Sequence, residues 1–121
     1  MTFLSQSQLL ENRTTKFGEN LIQLCKKCPK NVLTLNIIEQ VLRSGTSIGA
    51  NYREANGASS KKDFRNKILI CKRECKETEY WLQMMANAIE DETLKDMCRR
   101  LWQETHEFTL IFSRSAANTK C

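Results

Sequence analysis

Proline, glycine and histidine are scarce in this chain. Its 121 residues hold one Pro, four Gly and one His. So few helix breakers, with 27% charged residues, exclude a collagen-like or all-β design and a disordered chain, and point to a compact helical protein. Its length suits one domain around one core. No apolar run reaches the roughly 18 residues that a bilayer span needs, so no membrane partner is expected. The N-terminal MTFLSQSQLLENR lacks a basic stretch followed by a long apolar one, so no signal peptide is expected and the reading is of a cytoplasmic protein. With His106 as the only histidine, no nucleophile–base pair stands at recognisable spacing. The chain is therefore not read as an enzyme, and neither catalytic residues nor a cofactor are expected.

Cysteine is the exception to this scarcity, with six residues. Cys25-Lys26-Lys27-Cys28 is formally a CxxC motif, and Cys71 with Cys75 could complete four thiolates around zinc. Both pairs lie on otherwise apolar helical faces with no glycine-rich knuckle, so reduced cysteines acting as small hydrophobes are expected instead, and no metal.

The most informative stretch is SKKDFRNKILICKRECKETEYWLQMMANAI, residues 60–89. Phe64, Ile68, Cys71, Cys75, Thr78, Leu82, Met85 and Ile89 alternate at spacings of four and three, the seam of a bundle helix. Lys61, Lys62, Arg65, Lys72, Arg73 and Lys76 fall on another arc, only about 120° wide at 100° per residue. One face is suited to burial, and its neighbour presents positive charge. Residues 61–76 carry seven basic and two acidic side chains, whereas residues 77–107 carry eight acidic and three basic. Such polarity favours an oriented contact with a polyanion. The arc residues are the candidate contacts to DNA or RNA phosphates. The competing reading is a solvated charged face on a structural scaffold.

Three further segments share this periodicity. Helices are expected at about 7–28, 31–56, 60–89 and 91–115, giving an all-α, up-down-up-down antiparallel four-helix bundle over residues 1–121. Pro29 ends the first, Asn31 is placed as N-cap of the second, and Gly57 as a glycine just past its end. Ser60 with Asp63 opens the third, and Asp91 the fourth, whose tail is expected to fray after about Ser115. Phe64, Leu82, Leu101 and Phe108 are expected in the core. Trp81, Trp102 and Phe112 are expected near the surface, where they would favour self-association.

Helix two contains a stretch that intrinsic propensity disfavours, Arg43-Ser-Gly-Thr-Ser-Ile-Gly-Ala-Asn51. Gly45 and Gly49 each cost about 0.8–1 kcal/mol relative to Ala. Either a neighbouring helix or a second subunit must approach closely there. Ser44, Ser47, Asn51 and Glu54 form a polar stripe beside them, facing Glu74, Glu77 and Glu79 of helix three. The stripe is open to two readings, a solvated face or a buried hydrogen-bond network.

Arg43-Ser-x-x-Ser-Ile-x-x-Asn51, then Glu54-Ala, Ser60-Lys-x-Asp-Phe64 and Glu77-Thr-x-Tyr-Trp-Leu82 form a double motif. It resembles the 23S rRNA intervening-sequence protein family, strongly over about residues 43–85 and elsewhere by length and layout. Relatives of that family include the accessory protein of diversity-generating retroelements, which partners a reverse transcriptase. The resemblance implies a four-helix bundle in a barrel-like homo-oligomer, a pentamer in known members. It also implies basic surfaces that bind nucleic acid with little base preference, and either a reverse-transcriptase partner or a link to rRNA intervening sequences.

Overall fold

Ser5 and Gln8 open the first helix by exchanging bonds. The Ser5 hydroxyl accepts from the Gln8 N–H, and the Gln8 side chain accepts from the Ser5 N–H at 3.0 Å. This Ser-x-x-Gln box starts α1 (Gln6–Lys27) one residue before the expected position. In the computed structural model, which describes residues 4–121, three more helices follow: α2 (Leu35–Asn56), α3 (Lys61–Ala88) and α4 (Glu92–Asn118). Residues 1–3, the start of the segment read above for a leader, lie outside the described residues. Each helix packs on the next in sequence, and α4 closes back on α1, so the chain is an all-α antiparallel four-helix bundle. No described helix is long and apolar enough to cross a membrane.

The ends of α2 correct two expectations. Asn31 is not the N-cap. Its Oδ1 accepts from the N–H groups of Leu33 and Thr34 in a turn, while the Thr34 hydroxyl donates to the Pro29 carbonyl at 2.6 Å. This turn consumes Asn31, and the helix starts four residues later, with Thr34 at its N-cap. Gly57 sits at the C-cap with φ −97°, so the chain turns there without a left-handed residue. Ser60 and Asp91 cap α3 and α4 as expected, accepting from the N–H groups of Asp63 and Leu94. The fourth helix does not fray at Ser115. Ala116 is buried, the Thr119 hydroxyl donates to the Ser115 carbonyl, and Arg65 of α3 donates to the Ala116 carbonyl at 3.1 Å.

The seams meet in a core that runs the length of the bundle. Phe17 and Phe108 pack edge to face with centroids 5.6 Å apart, and Phe112 lies against Tyr52 and Phe108. Each such side chain contributes roughly 1.5–3 kcal/mol by leaving water. Leu82, Leu101 and Phe108 are buried, and Phe64 is half-buried against the core edge. Phe112 is fully buried, against expectation, because Tyr52 of α2 covers it. Trp81 and Trp102 remain half-buried.

Gly45 and Gly49 explain the weak stretch of α2. A Cβ on Gly45 would stand 2.1 Å from Leu21 Cδ2, and one on Gly49 3.3 Å from Thr14 Oγ1. The close approach is therefore that of α1 within the same chain.

Candidate nucleic-acid interface

The buried stripe of α3 contains Ile68, Cys71, Glu74, Cys75, Thr78, Leu82 and Met85, which fixes where the other faces point. On the basic arc, Lys61, Lys62, Arg73 and Lys76 are exposed and Lys72 is half-buried. Among the described residues, Lys61, Lys62, Lys72 and Lys76 form no ion pair, and Arg73 stands 3.6 Å from Glu74. Arg65 differs from the rest. It is half-buried, and its guanidinium caps the C-terminal end of α4. The fifteen steps from Lys61 to Lys76, at about 1.5 Å each, stretch the arc over about 22 Å of helix. That is long enough to lie along several successive phosphates.

The motif residues of α2 separate into three environments. Ser44 is buried, with its hydroxyl 2.8 Å from that of Thr78 on α3. Arg43 spans the same crossing, ion-paired to Glu77 and with a guanidinium nitrogen 3.5 Å from Glu74 Oε2. The Glu74 side chain is only 8% exposed, and its Oε2 accepts no hydrogen bond, so the two nearby guanidinium groups offset its burial. Ser47 and Asn51 bond back to their own helix, Ser47 to the Arg43 carbonyl and Asn51 to the Ser47 carbonyl. Glu54 is exposed and pairs with Lys67 at 3.6 Å. The stripe is thus buried only at its Ser44 end, and Gly45 and Gly49 face α1. Glu79 does not face α2. It turns to α4, where it accepts from the Thr109 hydroxyl and lies 3.3 Å from His106 Nδ1.

The thiols are core groups. Burial pushes Cys25, Cys71 and Cys98 up to about 12, and raises Cys28 and Cys75 as well. A thiol held protonated is a poor nucleophile and a poor metal ligand. Cys28 contacts Met85 Sδ at 3.8 Å, and Cys71 donates to the Ile48 carbonyl. Among the described residues, no three His, Cys, Asp or Glu side chains are placed to share a metal ion.

Four antiparallel helices, an Arg43 crossing between α2 and α3 onto the buried Glu74, and a basic arc beside it define a small all-α bundle with one strongly cationic edge. The chain belongs to the 23S rRNA-intervening sequence protein family, whose sequence profile matches residues 9–105. It is also similar to a crystal structure from Bacteroides thetaiotaomicron VPI-5482, a protein with unknown function from the S23 ribosomal protein family. The two are 30% identical with a TM-score of 0.74, over 88% of this chain and 96% of that one. Comparison with curated proteins gives no match.

Proposed function

We propose that the protein is a non-enzymatic, self-associating module that holds nucleic acid by its phosphates. The observation that carries this reading is the arc of Lys61, Lys62, Lys72, Arg73 and Lys76, four of them without an ion pair among the described residues, on the exposed side of α3. Unpaired lysines along one helix edge suit a polyanion, and phosphate contacts carry no base information, so binding is indifferent to sequence. Self-association is supported by a patch around the start of α2 and the end of α3. Val32 is 92% exposed, and Leu33, 65% exposed, lies beside Tyr80 and half-buried Trp81, whose indole N–H is buried without an acceptor among the described residues. A ring of identical copies, five as the family resemblance implies, repeats the arc about its axis and adds weak sites into avidity.

The test is a salt titration of binding to mixed-sequence duplex DNA and to RNA. With three or four phosphates neutralised per protomer, log affinity falls with log salt at a slope of about −3 for duplex. Changing Lys62, Lys72 and Lys76 together to Gln weakens binding and flattens the slope, with helicity and subunit number unchanged. Equal binding by parent and variant at low salt refutes the reading. The same apolar patch favours a second reading, a homo-oligomeric scaffold without nucleic acid. Absence of any binding at low salt, with an oligomer still present by light scattering, selects it.

A further inference from the structure

The acid-rich half of the molecule contains a cationic cleft. Residues 77–107 have only three Lys or Arg side chains, Lys95, Arg99 and Arg100. Arg100 is paired with Asp96 at 2.9 Å. Lys95 and Arg99 form no ion pair among the described residues, and both line a cleft of about 520 Å³ between α3 and α4 that contains no carboxylate in its walls. That volume lies within the roughly 300–1,000 Å³ of small-molecule sites.

The walls of the cleft differ in chemistry. Lys95, Arg99 and Trp102 stand at i, i+4 and i+7 on α4, one face of the helix. His106 lies parallel to Trp102, with centroids 5.1 Å apart and 7° between planes, and Glu79 holds the imidazole from α3. The indole is therefore fixed in orientation with one face covered. Helical side chains lean toward the N-terminus, which sets Trp102 toward Arg99 and Lys95. Gln83 and Gln103 bring amide donors and acceptors to the rim, Asn87 donates to the Gln83 carbonyl at 3.0 Å and leaves its amide oxygen to accept, and Leu82 and Cys98 make an apolar floor.

A flat apolar ring, two cations one helical turn apart and three amides match the three parts of a nucleotide. We infer that the α3–α4 cleft takes one unpaired nucleoside-phosphate unit, with its base stacked on Trp102, its phosphate against Lys95 and Arg99, and its base edge near the amides. This rests on the nucleic-acid reading above but uses other residues: the α3 arc grips any backbone, and the cleft admits only a base outside a duplex. Stacking on an aromatic is available to every base, so the cleft selects strandedness and not sequence.

A Trp81→Phe background, used once light scattering shows the parent's subunit number, leaves Trp102 as the only indole, since the chain has two. Its emission is followed while thymidine 5′-monophosphate, a short oligothymidylate or a blunt mixed-sequence duplex is added. Emission should fall with the oligothymidylate and not with the duplex. A fall with the mononucleotide as well identifies a free nucleotide as a ligand, whereas a fall with the oligomer alone identifies a strand. Lys95→Gln with Arg99→Gln, one half-buried and one exposed side chain, should weaken the single-strand response roughly tenfold without loss of helicity. Unchanged emission, while the oligomer still binds through the lysines of α3, overturns the cleft and leaves the arc reading standing. A mononucleotide response in a protein that ignores duplex does the reverse. An indole that acrylamide cannot reach in the assembled protein means that a second copy covers the cleft, and also overturns the inference.

Discussion

Two arginines each bridge a pair of glutamates across a helix seam, and the seams lie on opposite sides of the bundle. Arg43 of α2 reaches Glu74 and Glu77 of α3, and Arg13 of α1 reaches Glu104 and Glu107 of α4. The residue types are the same, but the burial is not. Glu74 is 8% exposed and Glu77 34%, against 31% and 50% for Glu104 and Glu107, so the trios differ at one carboxylate. Arg13 also lies over the Phe108 ring at 4.9 Å, and its hydrogen bond to Glu104 raises its pKa further. The α1–α4 seam is the thinnest of the four. Burial decides what such a trio does. A carboxylate out of water must meet its cation in one register, so Arg43 and Glu74 fix how α2 and α3 align. Around Arg13 both carboxylates keep part of their water, so that trio tolerates slippage, and Arg13 serves instead as a cover for the aromatic core.

The largest expected effect is at the aromatic that Arg13 covers. Phe108→Ala should cost about 3–5 kcal/mol in urea unfolding, because it removes a fully buried ring and its stack on Phe17. A cost near 1 kcal/mol would mean that the α1–α4 seam is not closed by this core.

High pH should come next and should strain both seams, since Cys25, Cys28 and Cys98 lie between α1 and α4 while Cys71 faces α2. Unfolded thiols ionise near 9.0, whereas Cys25, Cys71 and Cys98 hold their protons to about 12 in the fold. Above pH 9 the unfolded state therefore binds fewer protons than the native one. The stability that the raised values confer is complete below that pH and falls as pH climbs from about 9 to about 12. Thermal melts from pH 8 to 11 should show this fall, with a smaller drop in Cys71→Ala measured against its own pH 8 value.

Arg43→Ala should cost about 2–3 kcal/mol. That is below the ~3–5 of a fully buried pair, because Arg43 is half exposed and Arg73 stays near Glu74. Arg13→Ala should cost about 1 kcal/mol or less, the sum of an exposed pair and a ring contact. Equal losses would break the comparison. The smallest effect sharpens it: about 1 M salt should remove most of the Arg13 difference and leave most of that at Arg43, because screening acts on exposed charge.

Much of the fold was legible because one periodicity runs through all four helices. The caps at Ser60 and Asp91 were legible for the same local reason, a short polar side chain three residues before a backbone donor. Ser5 and Gln8 carry an equally readable capping box, which starts α1 at Gln6. Asn31 was misplaced because its chemistry serves a cap or a turn equally well, and the Thr34–Pro29 bond that decides between them is a tertiary fact. Arg65 looked like its neighbours on the arc. Its bond to Ala116 joins residues 51 apart in sequence, which no helical pattern reveals. The α3–α4 cleft escaped notice for the same reason. Lys95, Arg99 and Trp102 read as a mixed face until Gln83 and Asn87 stand opposite. Glu74 and Glu79 lie five residues apart and serve different partner helices, a distinction that depends on which helix packs on each side of α3.

Gly45 has a bearing on descent. The missing Cβ is space that one Leu21 methyl already fills, so a methyl at 45 requires that the Leu21 side chain turn aside or shorten, and the two sites should covary. Gly18 meets nothing within 4 Å of its would-be Cβ and should vary without a partner.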